Sequence, residues 1–110
     1  MKARIPGAAD KGSMMKRIQQ MQEDMERVQA EVEASSYSAS SGGGAVEAVV
    51  SGKHELQSIT INPDVVDPDD VEMLQDMILV AVNEAIRKAS EAMDKGIELA
   101  KGGLSIPGLF

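Results

Sequence analysis

The sequence predicts an α+β fold with the element order α-β-β-β-α: a helix, a three-stranded antiparallel β-meander and a long helix. Three observations predict it. Apolar residues recur at helical spacing from Met14 to Val32 and again from Val71 to Leu99. Between these stretches lie two short β-like runs, 45–51 (AVEAVVS) and 56–62 (LQSITIN), joined by a turn sequence. A hairpin alone is barely stable in water, so its apolar face requires a third strand and a packed helix.

The first helix is read from Met14 to about Val32. Its apolar positions, Met14, Ile18, Met21, Met25, Val28 and Val32, are spaced 4, 3, 4, 3, 4, which is a heptad seam. Gln, Glu, Asp, Lys and Arg fill the polar face, and Ser13 offers an N-cap. So narrow a stripe suits packing against one other helix. Residues 1–13, with Pro6, Gly7 and Gly12, read as a flexible arm carrying Lys2, Arg4 and Lys11; residues 14–110 form the single domain. The Gly12–Ser13 pair also resembles a cloning remnant, although a native tail is the preferred reading.

Residues 33–41 (EASSYSASS) bracket Tyr37 with small side chains in rough alternation and read as the first strand, with Gly42 to Gly44 as the turn that follows. The second and third strands are 45–51 and 56–62, with Gly52 and Lys53 between them. Pro63 ends the third strand. Asp67 as cap, Pro68 at the first helical position and the carboxylates after it then announce the long helix. Apolar residues recur along it until Gly102 and Gly103 stop it, and Gly96 interrupts at a cost of roughly 1 kcal/mol relative to alanine.

Lengths decide the assembly. A helix from Asp69 to Lys101 spans about 50 Å and the first helix about 28 Å. A compact chain of this size has a radius of gyration near 13 Å. One subunit cannot cover that much apolar surface, so a homodimer is expected, with the long helix over the hairpin face and a second copy over the remainder. The expected interface residues are Ile18, Met21, Met25, Val28, Leu74 and Ile78.

Composition narrows the chemistry. The chain has 110 residues, 43% of them hydrophobic, but only Tyr37 and Phe110 are aromatic, so the core is aliphatic. The absence of cysteine excludes disulfides, thiolate metal sites and cysteine nucleophiles and points to a reducing compartment, the cytoplasm. Residues 1–13 lack the apolar run of an export signal, and no stretch approaches the ~18 apolar residues of a membrane span. The net charge of −7 disfavours phosphate backbones at long range.

No constellation supports catalysis. Asp64, Asp67, Asp69, Asp70 and Glu72 form the densest acidic cluster, but their spacing is not a calcium loop and helix capping explains part of it. His54, the only histidine, reads as a solvated turn residue. The glycine run lacks the Lys-Ser/Thr and helix of a phosphate-binding loop. No nucleophile stands with a base and an orienting partner, so neither an enzyme nor a cofactor or metal is expected. The methionines read as core and dimer seam, or alternatively as an adaptable protein-binding groove.

Taken together, "MMKRIQQMQEDM", "GGGAVEAVVSGKHEL", "ITINPDVVDPDDVEMLQDMI" and "AVNEAIRKA" resemble the YbaB/EbfC family of bacterial nucleoid-associated proteins, over residues 14–110 and including the closing "GGLSIPGLF". The resemblance implies an intertwined, tweezer-like homodimer with protruding helices. It also implies double-stranded DNA binding, a place at the nucleoid, and roles in nucleoid organisation, gene expression or recombinational repair. On that reading Lys16, Arg17, Arg87, Lys88, Lys95 and Lys101 are the phosphate-contacting residues, with Lys2, Arg4 and Lys11 as a sliding arm. Weak, steeply salt-dependent binding with little base readout is expected. The alternative is a protein-interaction scaffold using Met-lined helices, with no direct DNA binding.

Overall fold

The computed structural model describes residues 6–102, with side chains from residue 12 onward. Helix α1 runs Pro6–Glu33, strand β1 Ser36–Ser41, β2 Val46–Ser51, β3 Leu56–Ile61, and helix α2 Val71–Ala100. The three strands form one antiparallel meander in the order β1-β2-β3. The predicted element order is therefore the observed one. Several boundaries move, each for a local reason.

Helix α1 begins at Pro6, not after a Ser13 cap, so residues 6–13 of the expected arm are helical. Proline is well placed at a first helical position, where its missing N–H is no loss, and Ala8 and Ala9 follow it. The same helix persists to Glu33, so β1 starts only at Ser36. Along β1, Tyr37, Ala39 and Ser41 turn inward while Ser36, Ser38 and Ser40 face solvent.

The start of α2 also shifts. Asp67 does not cap the helix: its Oδ1 accepts from the Asp69 N–H at 2.9 Å, and its carbonyl accepts from the Asp70 N–H at 2.9 Å. That is a tight turn with Asp first and Pro68 second, the positions each residue favours. The cap is Asp70, whose Oδ1 accepts from the Met73 N–H at 3.2 Å. Asp-Pro-Asp-Asp carries two capping signals, and the turn uses the first. At the other end Gly102 adopts φ +69°, and its N–H bonds the Leu99 carbonyl, a left-handed stop that glycine makes without strain.

The core lies between the sheet and α2. Val46, Ala48 and Val50 of β2 and Ala39 of β1 face Ala81, Ala85 and Ala89 of α2, and all are buried. Alanines at i, i+4 and i+8 form a small-residue stripe that lets α2 lie close to the strands. Burying each valine contributes about 1.5–3 kcal/mol. Helix α1 packs antiparallel along α2, away from the sheet.

The hairpin from β2 to β3 is tied to the rest by Gly52 and Ser51. Gly52 is buried against the end of α1, where a Cβ would fall on the Val32 carbonyl, and its N–H bonds the Ser35 carbonyl at 3.1 Å. The buried Ser51 hydroxyl accepts from the N–H groups of Lys53 and Glu55, stabilising a turn in which His54 takes φ +66°. The resulting subunit is elongated, with a radius of gyration of 22.2 Å and extents of 86 × 24 × 17 Å. A compact chain of this length would measure near 13 Å.

Candidate nucleic-acid interface

The six cations expected to meet phosphate fall into two groups on this frame. The first is on the arm formed by α1 and the distal part of α2. Lys16 and Arg17 are exposed on α1, and Arg17 shares the lining of an open cavity of about 360 Å³ with Gln20, Met21, Asp24, Ala100, Lys101 and Gly102. The antiparallel helices thus bring Arg17 and Lys101 together although they are far apart in sequence. Lys95 is exposed on α2, between this end and the sheet.

Arg87 and Lys88 form the second group, about 21 Å along α2 from Lys101. Arg87 pairs with Glu84 and with Glu91, one turn to either side. The pairing holds the Glu84 carboxyl below the usual carboxylate range, chiefly through the hydrogen bond from Arg87, and pushes the guanidinium up. Its charge is therefore cancelled locally. The Lys88 ammonium donates to the Ser38 carbonyl at 2.9 Å, which holds the side chain against β1.

The arm also carries anions. Asp24 accepts from Gln20 Nε2 at 3.0 Å and from Arg27 Nη1 at 2.9 Å, and these bonds, Gln20 first, hold its carboxyl below the usual range. Asp24 stays charged and lines the same cavity as Arg17. At physiological salt, charges more than about 8 Å apart are largely screened, so this local arrangement outweighs the net charge of −7.

The expected interface residues separate in the same way. Met21, Met25 and Val28 are half-buried on α1, Val28 against Gly96 of α2. Leu74 and Ile78 pack against the sheet core of their own subunit. Ile18 is exposed. What periodicity did not mark is β3. Its register sets Leu56 opposite Val50 and Ile59 opposite Ala48, so both point to the face that α2 covers, yet they are 49% and 36% exposed. Helix α2 lies chiefly over β1 and β2, and β3 projects beyond it. Helical spacing puts Leu79, Val82 and Ile86 on the flank of α2 opposite Met77 and Lys88, with Leu79 58% exposed.

His54 is not simply solvated, since its Nε2 lies 3.1 Å from the Ser90 hydroxyl and ties the hairpin turn to α2. Among the described residues no group of three or more His, Cys, Asp or Glu side chains could hold a metal ion. The acidic cleft lined by Ser41, Gly42, Asp70, Glu72, Met73, Asp76, Met77 and Val80 is unsuited to phosphate. No described helix is long and apolar enough to cross a membrane.

Against known proteins, the family model described as the YbaB/EbfC DNA-binding family matches residues 8–104, which takes in most of α1, including residues before Met14. A nucleoid-associated protein of Alkaliphilus metalliredigens is 55% identical over 104 residues, covering 94% of this chain and 91% of its own. One from Acetivibrio thermocellus is 57% identical over 99 residues, covering 89% and 88%. Among solved structures, an uncharacterized Helicobacter pylori protein has the same fold, with a TM-score of 0.60 at 22% identity, over 79% of this chain and 98% of that one.

Proposed function

The chain belongs to the YbaB/EbfC DNA-binding family, and from that premise we propose that it is a nucleoid-associated protein that pairs with a second copy and binds double-stranded DNA with little base readout. Phosphate contacts come from the arm, Lys16, Arg17, Lys95 and Lys101, and only secondarily from Arg87 and Lys88. The observation that carries this reading is the convergence of Arg17 and Lys101 at the outer end of the α1–α2 pair. Two arms in a dimer would reach separate stretches of duplex, which suits an organising role at the nucleoid, with gene expression or recombinational repair downstream. The binding is electrostatic, so it falls steeply as salt rises.

Support for pairing comes from the apolar surface left open by β3 and the α2 flank, with Leu56, Ile59 and Leu79 exposed on it. Covering such a surface with a second copy removes it from water at about 25 cal/mol per Å². Titrating salt against binding to random duplex DNA tests the reading. A shift at about 50 mM salt that vanishes as salt rises supports it. No shift there favours the second reading, a protein-interaction scaffold, which the exposed Met14 and Met15 favour.

A further inference from the structure

Charge is polarised along the subunit. Residues 54–86 hold eight carboxylates and no Lys or Arg, whereas residues 12–22 of α1 hold Lys16 and Arg17 and no carboxylate. Met73 of α2 is about 42 Å along the helix from Lys101, the residue that meets Arg17, so the two regions of one subunit stay apart.

The acidic region contains a formed groove. It is an open cleft of about 500 Å³ with an apolar stripe, Met73, Met77 and Val80 at i, i+4 and i+7 of α2, rimmed by Asp70, Glu72 and Asp76. The turn after β1 fixes the stripe. The Ser41 hydroxyl donates to the Met77 carbonyl at 2.6 Å, and Gly42, at φ +61°, leaves the room that the Met77 sulfur occupies. Met73 and Val80 are exposed. Helical spacing puts this cleft on the flank of α2 opposite Leu79, so covering β3 and Leu79 leaves it open.

A groove of this kind takes an amphipathic helix whose apolar anchors stand beside cations. The stretch from Met14 to Ile18 is one: Met14 and Ile18, one turn apart, and Met15 are exposed, with Lys16 and Arg17 exposed between them. We propose that this end of α1 in one copy docks in the Met73–Met77–Val80 cleft of another, with Lys16 and Arg17 meeting Glu72 and Asp76. The occupant is a second copy rather than nucleic acid, whose phosphates the carboxylates repel, and rather than the subunit's own α1, which is out of reach. The two surfaces differ, so the contact is heterologous and builds open chains of copies instead of closing on itself. It goes beyond pairing through β3 and does not depend on DNA binding, although duplex engaging Lys16 and Arg17 competes with it.

Sedimentation velocity of the full chain tests this. At about 50 mM salt the weight-average sedimentation coefficient should keep rising with concentration past the dimer value, and at about 1 M salt, where the screening length is about 3 Å, it should stop there. Lys16→Glu with Arg17→Glu, or Glu72→Lys with Asp76→Lys, should each raise the concentration needed for the rise at least about tenfold. An equimolar mixture of the two variants should restore it, because each basic surface again meets an acidic one. Both variants keep a net negative charge, so long-range attraction does not account for such a rescue. The proposal is overturned by a native chain with no salt-sensitive rise, or by a mixture that stays unassociated. A rise that the α1 reversal leaves unchanged overturns it too, since the cleft then takes some other segment. Every variant retains β3 and no DNA is present, so the contact can fail without touching the functional reading.

Discussion

Val28 of α1 packs directly over Gly96 of α2, so closely that a methyl group at position 96 would collide with the valine. The glycine that interrupts an otherwise good helix is thus the point of closest approach between the two helices of the arm. Its cost in helix propensity, roughly 1 kcal/mol, is offset by the contact it permits.

Gly96→Ala should therefore destabilise the protein by about 1–2 kcal/mol, although the same change on an exposed helix stabilises. In a Val28→Ala background the sign should reverse, because space then exists for the methyl. Urea unfolding of the four combinations gives the coupling, and additive effects would discard the contact.

Gly52→Ala should be worse, since the added atom meets the Val32 carbonyl and the backbone of Glu33 rather than a side chain. A loss of about 3 kcal/mol or more is expected, read as a fall in melting temperature with retained helix content. A fall no larger than that of a surface substitution would contradict the packing.

Charge reversal should distinguish the two cationic groups. Lys16→Glu with Arg17→Glu should lower duplex affinity at least about tenfold and flatten the salt slope. Arg87→Glu alone should do less, because Glu84 and Glu91 already pair with that cation. The opposite ranking in a gel-shift titration would move the interface to the sheet end of α2.

Glu84→Gln with Glu91→Gln should strengthen DNA binding by releasing Arg87 and removing two negative charges. The wild-type pairing also has a pH signature. The folded pKa of Glu84 lies below its unfolded value, so the stabilisation it lends is complete above the ordinary carboxylate range and disappears as the pH falls through the lower folded value. As the Glu84 side chain is more than a third exposed, solvent screening keeps the effect on stability small. Its ¹³C carboxyl titration should have a midpoint below the ordinary glutamate value, and Arg87→Met should abolish the depression.

Ile59→Glu, placed on the open face of β3, should shift sedimentation equilibrium at micromolar concentration from dimer to monomer. A protein that sediments as a monomer before substitution would refute the pairing outright.

Much of this was legible in the chain. The 4-3-4-3-4 spacing of α1 and the alternation of β2 are properties of neighbouring residues, and local spacing determines which face of an element is apolar. The element order and the role of Gly102 as a stop follow from that. The start of α2 was misplaced at Asp67 because two Asp residues three apart both suit a cap, and only the turn around Pro68 selects between them. The start of α1 was missed because Gly7 and Gly12 read as breakers, whereas the helix tolerates them.

By itself, then, the sequence determined the elements, their apolar faces and an aliphatic core. Tertiary structure decided which side chains share a place: Arg17 with Lys101, Arg87 with two glutamates, Lys88 with the Ser38 carbonyl, and β3 left beyond the cover of α2. The physical reason is range. Helix and strand periodicity are set by contacts a few residues apart, whereas the state of a charge or the covering of an apolar side chain depends on atoms brought near from distant parts of the chain.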